Sequence, residues 1–150
     1  PTVTAIITTS LETSTPQVCK SSLFTYNSKT TLVVKSAQIE MNNTIAARAS
    51  MSDPNAIEGF EITDRDPMMT IDPESIIETS YNFRSDALSG ALRQVSFVVG
   101  ATAGNILTTT IPKFNAYWPE YEDRDEILVE KIKGEAAQNS GNDEVSLAFT

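Results

Sequence analysis

The side chains of this sequence that could move protons or hold ions are carboxylates. Asp64 and Asp66 flank Arg65, and Glu120, Glu122, Asp123, Asp125 and Glu126 crowd the stretch after Trp118. Two acids across a cleft can hydrolyse a glycosidic bond, and several acids in one loop can hold calcium. The late cluster lacks the EF-hand spacing and its glycine, and Arg124 sits inside it, so it reads as a solvated charge run. Asp64-Arg65-Asp66 reads as a strand-end ion pair or a contact between subunits. Histidine is absent from all 150 residues, which removes Ser–His and Cys–His nucleophile pairs. There is no Ser-x-x-Lys, no Gly-x-Gly-x-x-Gly and no Walker-type Gly-Lys-Ser/Thr. The expectation is a non-enzyme with no catalytic residues, no metal site and no cofactor. Tyr117, Trp118 and Tyr121 could line a ligand groove, but beside acids and Pro119 they read as anchors to the domain or to a neighbouring copy.

Composition narrows the class further. Twenty acidic and 11 basic residues give a net charge of −9 and a pI near 4.4, which disfavours gripping nucleic-acid phosphates. No apolar run approaches the ~20 residues that span a bilayer, so a soluble chain with no membrane partner is expected. The single cysteine, Cys19, cannot form an internal disulfide and reads as a small buried apolar side chain. Asn42-Asn43-Thr44 matches the glycosylation sequon but reads as a turn. The length suits one domain over residues 1–150. Pro1 in place of methionine suggests a processed form or a piece of something longer, with upstream residues missing.

Those side chains need elements to position them, and the strongest is Leu92 to Ile111. Val95, Phe97 and Val99 fall on one face with Gln94 and Ser96 on the other, then Gly100 to Asn105 supplies turn residues, then Leu107, Thr109 and Ile111 alternate with Ile106, Thr108 and Thr110. This is a hairpin with an aliphatic side and a Ser/Thr/Gln side. Residues 1–16 read as a strand dissolving into an extended arm that reaches about residue 18. Cys19 to Tyr26 and Thr30 to Met41 read as a second hairpin turning at Asn27-Ser28-Lys29. Thr44 to Met51 reads as a strand whose alanines pack beneath another element, and Gly59 to Asp66 as a half-exposed strand. Asp72-Pro73-Glu74 has the signature of a helix start, predicting a helix to about Asn82, with a break at Gly90. Residues 113–126 read as a long loop, Glu126 to Ala137 as a central strand, and Val145 to Phe149 as a terminal one. The sum is a mostly-β domain, a β-sandwich or barrel of about eight to ten strands with one flanking α-helix.

The order of these features resembles the tail tube (major tail) proteins of long-tailed bacteriophages and prophages. The likeness runs from about Glu58 to Thr150. It rests on the strand ending in Asp64-Arg65-Asp66-Pro67, the acid-Pro-acid stretch at Asp72, Gly90-Ala91-Leu92 entering the hairpin, Ala103-Gly104-Asn105 at its turn, Tyr121-Glu122-Asp123-Arg124-Asp125, and Asn142-Asp143-Glu144 before the last strand. Glu126 departs from it, standing where that family's turn leads one to expect glycine.

The resemblance implies a structural virion protein that forms hexameric rings, stacked into a tube through which DNA passes without specific binding. It implies tape measure and tail terminator proteins as further partners, a place in the virion tail, and assembly in the host bacterial cytoplasm. Ser96, Thr108 and Thr110 are expected to face the lumen. Arg65, Trp118, Tyr121, Asp123, Arg124 and Asp125 are expected at contacts between subunits, and the N-terminal arm and the Ala116 to Asp125 stretch between rings. The alternative is a non-enzymatic β-sandwich binding module of a fibre, baseplate or adhesin that recognises a receptor or glycan.

Overall fold

The computed structural model of the protein describes residues 22–52 and 54–150. Ten strands and one helix follow in order: β1 Leu23–Tyr26, β2 Val34–Glu40, β3 Thr44–Ala49, β4 Ile57–Asp64, β5 Met68–Pro73, α1 Phe83–Ser89, β6 Leu92–Val99, β7 Leu107–Ala116, β8 Glu120–Arg124, β9 Ile127–Ala136 and β10 Ser146–Phe149. The main sheet runs β1-β6-β7-β9-β5-β2, with β10 on β7 and β8 on β9, while among the described residues β3 and β4 pair only with each other. Every pairing is antiparallel. The expected class, mostly β with one flanking helix, holds.

Strand β7 gives the sheet its bend. Its first residues lie between β6 and β10, and its last three pair with β9. At the changeover Arg93 and Val95 of β6 oppose Phe114 and Ile111, so β7 carries one extra residue. Pro112 sits in that bulge, where a missing N–H is tolerated and the strand kinks. The sheet therefore folds over itself, and its two ends meet: Phe24 of β1 and Val34 and Ala37 of β2 line one cavity of about 190 Å³. Gly134 of β9 closes the crossing, because a Cβ there would collide with the Asn115 carbonyl and the Phe114 ring. Inside lie Tyr26, Met69, Ile71, Val95, Ile111, Phe114 and Ile132, with Phe83 of α1 capping one end. Each such side chain contributes about 1.5–3 kcal/mol on burial.

Several expectations give way to tertiary pairing. The helix expected from Asp72 to about Asn82 is not there. Met68–Pro73 is a strand whose Met69, Ile71 and Pro73 are buried at every second position, and Glu74 and Ser75 donate their N–H groups to Val33 and Leu128 at 2.9 Å each. With those donors committed, the helix starts ten residues later at Phe83. Asn82 caps it, its Oδ1 accepting from the Ser85 N–H at 2.9 Å, and Gly90 ends it in the left-handed region at φ 62°.

The hairpin expected from Cys19 to Met41 turns at Asn27 and Ser28, both at positive φ. It does not continue, because β1 pairs with β6 and β2 with β5. The long loop expected over residues 113–126 shrinks to Tyr117-Trp118-Pro119: β7 runs through Pro112 to Ala116, and the acidic stretch is edge strand β8. Edge strands tolerate charge because one side remains in water. The alanines of β3 are mostly exposed instead of lying beneath another element. The central hairpin, the central β9 and the terminal strand stand as expected. The strand and arm read in residues 1–18, and Cys19, lie outside the described residues.

Candidate assembly surfaces

The strands leave edges bare. β1 and β2 end the main path, β10 pairs only with β7, and β8 only with β9 among the described residues. Each such edge presents N–H and C=O groups that another strand can satisfy. One part of the sheet, β1-β6-β7-β10, is a four-stranded unit whose two outer edges have no strand partner among the described residues.

This unit carries the hydroxyl side chains read from the sequence. Ser96 lies directly opposite Thr110. Thr25 of β1 opposes Ser96 on its other side, and Ser146 of β10 opposes Thr110. Opposed residues of antiparallel strands share a face, so Thr25, Ser96, Thr110 and Ser146 form one row across four strands, about 4.8 Å apart. Thr108 stands on the same face two residues along, opposite Val98. Thr25 and Ser146 were not singled out in the sequence, since alternation along one strand does not reveal which strand will lie beside it.

The hairpin β3–β4 is the most unusual surface. Ile45 opposes Ile62 and Ala47 opposes Phe60, giving one apolar face, on which Phe60 is 72% and Ile45 62% exposed. The other face carries Arg48, within 3.4 Å of Glu58 and 3.8 Å of Glu61. These exposed pairs contribute little to stability. Sequence reading missed this surface because a strand with one apolar face looks the same whether its own chain covers that face or not.

The residues expected at subunit contacts are not brought together. Arg65, at the base of the hairpin, lies 3.9 Å from Glu144 in the turn before β10. Arg124 reaches Asp72 at 3.3 Å and Glu74 at 2.9 Å, tying β8 to β5. Tyr121 lies under the Arg84 guanidinium, 4.8 Å from its ring centroid. Asp123 accepts the Glu126 N–H at 3.3 Å, and Asp125 and Glu126 both take positive φ, 53° and 67°. The β8–β9 turn thus has the two-residue form that prefers glycine, made here with glutamate. Trp118 stays exposed beside Tyr117.

The end of the core under α1 is finished by the chain itself. Asp86 is buried and takes the Arg93 guanidinium on Oδ1, from Nε at 3.0 Å and Nη2 at 2.7 Å. Its Oδ2 accepts from the Tyr81 hydroxyl and from Tyr26 at 3.5 Å. The Tyr26 ring meets Tyr81, Phe83 and Phe114 edge-on with centroids 5.2–6.2 Å apart, a favoured aromatic geometry. Burial, followed by the neighbouring Asp86 charge, pushes the Tyr26 phenol far up. Burial and the hydrogen bond to Asp86 push Tyr81 up to about 12.

Comparison with known proteins bears on the fold. No family model matches the sequence, and no curated protein does. Among solved structures, a chain of the virion of the native gene transfer agent (GTA) particle is similar, with a TM-score of 0.54 and 16% identity over 89% of this chain and 98% of that one. A chain of the tail of the empty GTA particle also matches, with a TM-score of 0.49 and 14% identity over 81% of this chain and 85% of that one. This chain and the virion chain share one fold over nearly their whole lengths.

Proposed function

We propose that the chain is a structural subunit of a phage-like tail tube, acting by self-assembly and not by catalysis. The fold shared with a virion chain supports this, and one observation carries it. Among the described residues the unit β1-β6-β7-β10 has two free edges, and it alternates in direction at every step. In a head-to-tail ring, β10 of one copy meets β1 of the next antiparallel, so the alternation continues without a break. A closed ring of such units removes every one of these edges, as barrel closure does. The ring is six-membered, as the tail tube resemblance implies.

In this ring the row of Thr25, Ser96, Thr110 and Ser146, with Thr108, lines the bore. A hydroxyl wall in a protein of net charge −9 offers passing DNA no cluster of ammonium groups to hold its phosphates. The bare face of β3–β4 docks on the adjacent ring, and Arg65 steadies the hairpin base. Tyr121, Asp123 and Asp125, exposed on β8 and its turn, are further contact residues, with Arg124 holding β8 in position, while Trp118 is left to the groove beside it. Tape measure and terminator proteins complete the tail, which is assembled in the host cytoplasm. Electron microscopy of the concentrated protein is expected to reveal rings or hollow tubes. Monodisperse monomers at every salt concentration would refute the reading.

A further inference from the structure

We propose that the groove beside Trp118 binds an acidic saccharide. The groove lies on the outer face of β9, β5 and β2 and encloses about 450 Å³, inside the roughly 300–1,000 Å³ of small-molecule sites.

A strand irregularity builds its wall. β7 and β8 run along the same side of β9, but the register slips by one residue between Ala116↔Gly134 and Glu120↔Lys131. Tyr117-Trp118-Pro119 occupies the slip, and the Tyr117 N–H still reaches the Lys133 carbonyl at 2.8 Å. Ala116 and Pro119 are buried on either side of the exposed pair. The backbone under Trp118 is therefore pinned at both ends while its indole stays 56% exposed. Such bulges re-aim side chains, often beside functional sites.

Across from the indole, Gln38, Thr70 and Lys133 form one row, since Gln38 opposes Thr70 and Thr70 opposes Lys133. A sugar ring has an apolar C–H face and a rim of hydroxyls. An aromatic plane beside an amide, a hydroxyl and an ammonium matches both. Charge selects the class. Lys131 is held by Glu122 at 2.9 Å, whereas Lys133 has no ion pair among the described residues. An ammonium without a partner, in a concave site of an acidic protein, fits one carboxylate of a uronic-acid unit. Glu120 on the same wall accepts from sugar hydroxyls and repels a densely charged polyanion such as nucleic acid.

This site belongs to a single copy and does not depend on ring assembly. Trp118 is the only tryptophan in the chain, so its emission reports the groove directly. Titration with a short oligogalacturonate should give a saturable emission change, with uncharged malto-oligosaccharide binding about tenfold more weakly. Lys133→Gln should cost the acidic ligand about tenfold and the uncharged one much less, so that the preference for the charged ligand is lost. Trp118→Phe, followed by calorimetry, should weaken both. An unresponsive indole, or equal affinity for charged and uncharged ligands, would overturn the assignment. So would an emission that shifts with protein concentration alone, which would give the groove to a second copy.

Discussion

The end of the core under α1 and the hairpin β3–β4 are built from similar material and finished in opposite ways. Under α1, Tyr26 from 60 positions away joins the nearby Tyr81 and Arg93 on Asp86, and the aromatic rings of Tyr26 and Phe83 are almost wholly buried. Among the described residues no buried side-chain nitrogen or oxygen lacks a partner. In the hairpin, Ile45, Phe60 and Ile62 line up as regularly as any core strand, yet nothing among the described residues covers them. Leaving each in water forgoes about 1.5–3 kcal/mol. The tube reading gives this open face to another copy.

The contrast is broken most severely by Phe60→Glu. A charge on the bare face should abolish tubes in electron micrographs and sedimentation, while the monomer's unfolding free energy stays within about 0.5 kcal/mol. Tubes persisting in this variant would remove the hairpin from the assembly. Asp86→Ala should do the reverse. It strands Arg93 and two phenols, so urea denaturation should register a loss of about 3 kcal/mol.

A milder probe of the same end is pH. Tyr81 has a higher pKa folded, about 12, than its ordinary 10.0, so the unfolded chain releases the proton first. Its contribution to stability is complete below about pH 10 and is lost as pH rises toward 12. Urea midpoints measured across that window should fall, and less steeply in Tyr81→Phe. The smallest effect belongs to the β8–β9 turn: Glu126→Gly relieves a left-handed backbone and should stabilise by about 1 kcal/mol, read as a higher melting temperature.

Legibility in the sequence followed locality. Ser96 and Thr110 were assigned to one face from period-2 alternation, and the structure sets them opposite each other. Their neighbours Thr25 and Ser146 come from strands 71 and 36 positions away from those partners, and nothing local marks them. Asp72-Pro73-Glu74 carried a sound helix-start signal, but β2 and β9 captured the flanking backbone groups first. Tyr117 and Trp118 read either as groove lining or as anchors to the domain or to a neighbouring copy; local sequence does not show that Ala116 and Pro119 are buried between the two strands and that both rings border a groove.

By itself the sequence determined most of the strand-forming stretches, though not β5 or β8, along with the helix stop at Gly90, the aliphatic and hydroxyl sides of the central hairpin, and the want of the usual catalytic groups. These depend on side-chain type and a repeat of two, which act over a few residues. Only the tertiary structure decided which strands lie side by side, which edges stay open, that β3–β4 keeps its apolar face bare, and that Trp118 borders a groove. Backbone hydrogen bonds are the same at every residue. Partner choice between strands is therefore settled by how the whole set of side chains packs, not by any one segment.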